Sequence, residues 1–132
     1  MDKVEITVTG VPAINAAFAR VEKKLSKNEM QKYCMYAGFM FEESAKWYAS
    51  GNGGGPQVQT GNLRASIQTE PTDDGGATVA PHADYAPYVE FGVPGHSSPY
   101  PYMRPAYETT LQPARSFLME KIGKEVEIGY GE

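Results

Sequence analysis

The chain has 132 residues, 41% hydrophobic and 21% charged, which suits one domain with a real core and excludes both a disordered chain and two independent folding units. Its formal charge of −4 lacks the basic footprint that a dedicated nucleic-acid binder needs to displace phosphate counterions. The lone cysteine, Cys34, rules out an intramolecular disulfide, and no apolar run approaches the ~20 residues that cross a bilayer. Residues Met1–Glu5 alternate charge without a signal-peptide core, so the expectation is a soluble, intracellular protein.

Val4, Ile6 and Val8 alternate with Glu5, Thr7 and Thr9, the period-two pattern of a half-buried strand ended by Gly10. Pro12 opens a helix whose stripe is Ile14, Ala17, Phe18, Val21 and Leu25. Ser26 and Asn28 are N-cap residue types for a second, longer helix. Met30, Cys34, Ala37, Phe41, Ala45 and Tyr48 form its main stripe over about five turns. Tyr33, Tyr36, Met40 and Trp47 load a second face, as expected of a helix that is sandwiched in a core or packs against another molecule.

Most of the 14 glycines and 10 prolines fall between Gly51 and Pro105, so the middle of the chain is loop-rich. Residues 50–59 read as a flexible loop, with Gly51, Gly53, Gly54 and Gly55 as an arm that orders against a neighbour. The loop lacks the Gly-Lys-Ser/Thr ending of a phosphate-binding P-loop. Thr60 caps a short helix carrying Leu63 and Ile67. Asp73-Asp74-Gly75-Gly76 turns a hairpin between Ile67–Glu70 and Ala77–Ala80, without the spaced ligands of a calcium loop. Pro87 opens a short turn through Phe91 that Gly92 closes with a left-handed cap. The last helix starts at Arg104-Pro105 with Leu111, Ala114, Leu118 and Ile122 inside, and Pro113 predicts a kink or break near Leu111–Gln112. Residues 129–132 read as a loose tail, leaving 1–128 as the folded domain. The fold class is α+β: a small antiparallel sheet packed against the long helix and the C-terminal helix.

Catalytic material is sparse. His82 and His96 sit beside proline or glycine in loops, and Cys34 falls on an apolar stripe where it packs as a small hydrophobe. Ser97 and Ser98 have no nucleophile elbow around them. Glu42 and Glu43 are helix neighbours about 100° apart, which does not make a carboxylate pair. Clustered metal ligands are missing, so neither a catalytic centre nor a metal or cofactor is expected.

Three segments remain: Thr60-Gly-Asn-Leu-Arg-Ala-Ser-Ile67, Tyr85-Ala-Pro-Tyr-Val-Glu-Phe-Gly92 and Pro101-Tyr-Met-Arg-Pro-Ala106. In this order and spacing they resemble the gp-ten-like tail-completion, or head–tail joining, family of long-tailed lambdoid bacteriophages. Val93 and Tyr102 stand where that family often has Thr and Phe, and the N-terminal half agrees only as a strand followed by helices. The resemblance implies an α+β virion protein of phage or prophage origin, assembled in the host cytoplasm without catalytic activity. It implies a homo-oligomeric ring, hexameric in the virion, between the tail terminator or tube protein and the head-side connector, with DNA passing through unread. A tail terminator is the alternative within phage structure, and a small hydrolase using His82 or His96 is the alternative from another class.

A ring subunit needs two different, complementary patches. Tyr85, Tyr88, Phe91, Tyr100 and Tyr102, together with the outward face of the long helix, are candidate material for them. Glu90 and Arg104, charged residues within apolar motifs, are expected to pair and fix the Tyr85–Gly92 turn against the start of the last helix, a pair costing on the order of 3 kcal/mol to break. Between residues 51 and 100, Arg64 is the sole basic residue against Glu70, Asp73, Asp74, Asp84 and Glu90. Such an acidic stretch would repel DNA from a channel wall.

Overall fold

The computed structural model describes residues 3–10, 26–57, 61–123 and 126–131. The helix expected over 12–25 and the cap at Thr60 lie outside the described residues. Strands β1 (Glu5–Gly10), β2 (Ile67–Pro71), β3 (Ala77–Pro81) and β4 (Val126–Gly131) form one antiparallel sheet in the order β2-β3-β1-β4. Helices α1 (Lys27–Tyr48) and α4 (Met103–Ile122) pack together and against one face of it. Short helices α2 (Asn62–Ser66) and α3 (Ala86–Phe91) lie before β2 and after β3. The architecture is thus the expected α+β arrangement of a small antiparallel sheet, a long helix and a C-terminal helix.

The alternation in β1 does what its pattern predicts: Ile6 and Val8 are fully buried, while Glu5, Thr7 and Thr9 lie on the other face. Val79 and Ala77 of β3, Ile67 of β2 and Ile128 of β4 extend the same apolar surface. Cys34, Ala37, Phe41 and Ala45 close over it from α1, and Ala106, Ala114, Leu118 and Ile122 from α4. Gly38 lets α1 approach the sheet, since a Cβ there would sit 2.5 Å from the Thr69 methyl. Ser26 caps α1 in a full capping box, its hydroxyl accepting from the Glu29 amide at 3.1 Å while the Glu29 carboxylate reaches back to the Ser26 amide at 3.4 Å.

Three expectations change. Where a kink or break was expected near Leu111–Gln112, helix α4 runs on through Pro113 with no break. Pro113 and Thr109 both face outward, so water can serve the Thr109 carbonyl that loses its partner, while buried Thr110, Ala114 and Leu118 hold both halves on the core. The tail expected to be loose from residue 129 is instead strand β4 through Gly131, paired along the whole of β1. Its alternation of Val126, Ile128 and Tyr130 was masked by Gly129 and Gly131 on either side of the tyrosine. Finally, Ile67 belongs to β2 rather than to the short helix.

Candidate assembly site: a tyrosine groove and a buried glutamate

Helix α3 and the first turn of α4 form one unit through Glu90, which is only 3% exposed. A helix start leaves its first amides without partners. Here Glu90 Oε1 accepts from the amides of Tyr102 at 2.9 Å and Met103 at 2.8 Å, and Oε2 accepts from the Arg104 amide at 2.9 Å. The next position is Pro105, which has no amide hydrogen to satisfy. The carboxylate also lies at the positive end of the α4 dipole. In return, the Tyr102 hydroxyl donates to the Ala86 carbonyl at the start of α3, at 2.9 Å.

A fourth bond reaches across the molecule, from the Tyr130 hydroxyl in β4 to Glu90 Oε2 at 2.8 Å. Arg104 places its guanidinium over the Tyr130 ring, 5.5 Å from the centroid. The expected Glu90–Arg104 pair therefore exists through the backbone amide of Arg104, and its guanidinium is not an ion-pair partner of Glu90 among the described residues. Three converging amides outcompete one long, exposed side chain for a carboxylate in this position. Burial, then the Glu90 charge, pushes the Tyr102 hydroxyl well above the usual phenol range. Tyr130 rises for the same two reasons, opposed by Arg104.

Between Phe91 and Pro101 the chain turns back on α3. Gly92 (φ 74°, ψ 176°) allows this: it leaves α3 in an extended positive-φ conformation rather than the expected left-handed cap. A Cβ there would lie 2.7 Å from the Pro99 nitrogen and 2.9 Å from the Ser97 carbonyl oxygen, so the position demands glycine twice over. The Tyr100 amide then donates to the Val89 carbonyl at 2.8 Å, setting the Tyr100 ring beside α3.

The result is a groove of about 620 Å³. Leu63 and Arg64 of α2 form one wall, Tyr88 and Val89 of α3 with the preceding Tyr85 another, and Tyr100 and Ser98 the rim. Tyr85 and Tyr88 are each 44% exposed and Tyr100 52%. Two sequence segments far apart in the chain, 61–67 and 85–92, thus meet across one concavity. Of the residues expected at a seam, Tyr85 and Tyr88 are at the surface and Arg104 is exposed beside Tyr130. Tyr102 and Glu90 are buried, and Phe91 is partly buried against the core, so these three support the site from inside. Nothing in the sequence around them separated these residues from the exposed tyrosines, and Tyr130, set among the glycines of the presumed tail, gave no signal either.

The segment Gly51–Gly55, expected as a flexible arm, is folded as tight turns on the end of α1. The Gly51 amide donates to the Tyr48 carbonyl at 3.2 Å and the Asn52 side chain to the Trp47 carbonyl at 2.8 Å. Ser50 Oγ donates to the Lys46 carbonyl and accepts from Arg64 at 3.1 Å, tying the loop to the groove wall.

Elsewhere, His82 Nε2 lies 2.8 Å from Glu70 on the exposed sheet face, and His96 is exposed in its loop. Cys34 is buried, and burial, followed by the Asp74 charge, pushes its thiol up to about 11. Glu42 accepts from the Thr69 hydroxyl at 2.8 Å and pairs with Lys46 at 3.1 Å, while Glu43 faces away. Among the described residues there is no cluster of three or more metal-ligating side chains. Comparison with protein-family models, curated proteins and solved structures gives no match.

Proposed function

We propose that this chain is a structural subunit of a bacteriophage neck, a ring component that completes the tail and offers the surface on which a DNA-filled head docks. One observation carries this reading: the three segments whose order resembles the tail-completion family are spent on a single rigid surface unit. Segment 61–67 and segment 85–92 build the groove, and segment 101–106 supplies the amides that hold Glu90. A surface pre-ordered in this way loses little entropy on assembly, which favours a part that works by shape. Exposed tyrosines suit such a contact, with a broad apolar ring and a polar tip.

The ring would be a homo-oligomer contacting the tail terminator or tube protein on one side and the head connector on the other, within the virion. Glu70, Asp73, Asp74 and Asp84 are exposed and could repel DNA from a channel wall; Glu90, buried, drops out of that set. Electron micrographs of lysates lacking the protein test the reading. Separate full heads and finished tails are expected, and intact, connected virions would refute it.

A further inference from the structure

Helix α1 carries a second aromatic surface away from its buried stripe, bordered by α4, where Tyr36 meets Phe117 edge-on and Met40 packs partly on the core. Tyr36, Met40, Glu43 and Trp47 follow one another at helical spacings of four, three and four along one stripe, ~16 Å from end to end, and Phe39 flanks it one turn before Glu43. Tyr36 is 48% exposed, Phe39 46% and Trp47 54%. Trp47 projects beside the Gly-rich turn, where a Cβ on Gly53 would lie 3.2 Å from the indole, so the loop buttresses this ring. The stripe is the exposed ridge of a helix, with Met40, Glu43 and Trp47 bordering a shallow hollow against Thr109 of α4, and the tyrosine groove is a larger hollow on the same chain.

Their charges are also opposite. Arg64 is the charged residue lining the groove, bound there to the neutral Ser50 hydroxyl. Glu43 is the charged residue of the ridge and has no ion-pair partner among the described residues, its neighbour Glu42 being paired with Lys46. We infer that the α1 ridge of one copy docks in the tyrosine groove of the next, with Trp47 as the anchor and Glu43 meeting Arg64. An amphipathic helix in an apolar groove is a common recognition geometry, and Trp, Tyr and Arg are the side chains that most often dominate such contacts. Because ridge and groove differ, the contact is head-to-tail and propagates to a ring when the rotation closes. The inference rests on the ring reading above and names the surfaces that would build it.

Two variants with opposite defects test it by sedimentation velocity on the full chain. Trp47→Ala spoils the ridge and keeps the groove; Arg64→Glu spoils the groove and keeps the ridge. The unmodified chain self-associates, and each variant alone weakens that association about thirtyfold, as expected for a dominant contact residue. Mixed together, the two variants form a dimer that grows no further, since only one intact ridge and one intact groove remain. Combining Glu43→Arg with Arg64→Glu in one chain restores self-association. An unmodified chain that stays monomeric at about 1 mM, variants that assemble as the parent does, or a mixture that stays monomeric would each overturn the docking. A monomeric chain whose knockout still separates heads from tails removes this contact and leaves the neck function. A head-to-tail oligomer whose knockout yields normal virions does the reverse.

Discussion

Replacing Glu90 by glutamine keeps the shape of the side chain and removes its charge and one acceptor. The remaining oxygen can still accept from the Tyr102 and Met103 amides, now 2.9 and 2.8 Å from Oε1. The new amide group, however, faces the Arg104 amide, which now donates to Oε2 at 2.9 Å. Two donors then confront each other, at a cost of about 1–3 kcal/mol for the unsatisfied amide. The two surviving bonds change from charge-assisted to neutral and lose roughly 1 kcal/mol each. Tyr130 loses little, because its hydroxyl can rotate and accept. Partial relief comes from no longer burying a carboxylate, leaving a net loss of about 3 kcal/mol, or ~10 °C in Tm for a chain of this size. Urea unfolding should show a lower midpoint at an unchanged slope. Amide exchange at Met103 and Arg104 should quicken before that of the α4 centre. A loss under about 1 kcal/mol, with the first turn of α4 still protected, would refute the view that Glu90 organises this corner.

Tyr102→Phe should cost about 1 kcal/mol in the same assay, since it strands the Ala86 carbonyl and leaves packing intact. Gly92→Ala should lower Tm far more than Gly131→Ala, because the first meets backbone at 2.7 Å with φ at 74° and the second meets nothing within 4 Å. Stability should fall as pH rises from about 9 toward 11. The unfolded Cys34 thiol ionises near its ordinary 9.0 while the folded one holds its proton to about 11, so the unfolded chain binds fewer protons in that window. Cys34→Ala should flatten the start of this decline, and the raised hydroxyls of Tyr102 and Tyr130 should steepen it from about pH 10 upward, where the unfolded phenols ionise first. Substituting both His82 and His96 by alanine should leave plaque formation unchanged if the chain joins particles, and abolish function if it hydrolyses a substrate. Asp73→Lys with Asp74→Lys should slow DNA ejection from otherwise complete particles if this turn lines the channel.

Local patterns in the chain carried much of the fold. The alternation of Val4, Ile6 and Val8, the apolar stripe from Cys34 to Ala45 and the Asp-Asp-Gly-Gly turn each encode their element through neighbouring residues alone. Ser26, one of the two cap candidates with Asn28, marked the helix start in the same way. Strand β4 was hidden because Gly129 and Gly131 are weak strand formers, and its stability comes from pairing with β1 at the opposite end of the sequence. Pro113 misled for a related reason: propensity describes an isolated helix, whereas α4 is held by its buried face.

The candidate site divides along the same line. Its components were legible as three short segments, with tyrosines, Glu90 and Arg104 among them, because composition and spacing are properties of the chain. Whether each side chain would face outward or inward was not legible. Tyr85, Tyr88 and Tyr102 look alike as letters, and only the packing of α3 on the start of α4 exposes the first two and buries the third. The chain alone determined which elements exist and which residues could matter. Tertiary structure decided that Glu90 binds a helix start and not a guanidinium, since three amides from consecutive residues converge only once that helix has formed and docked.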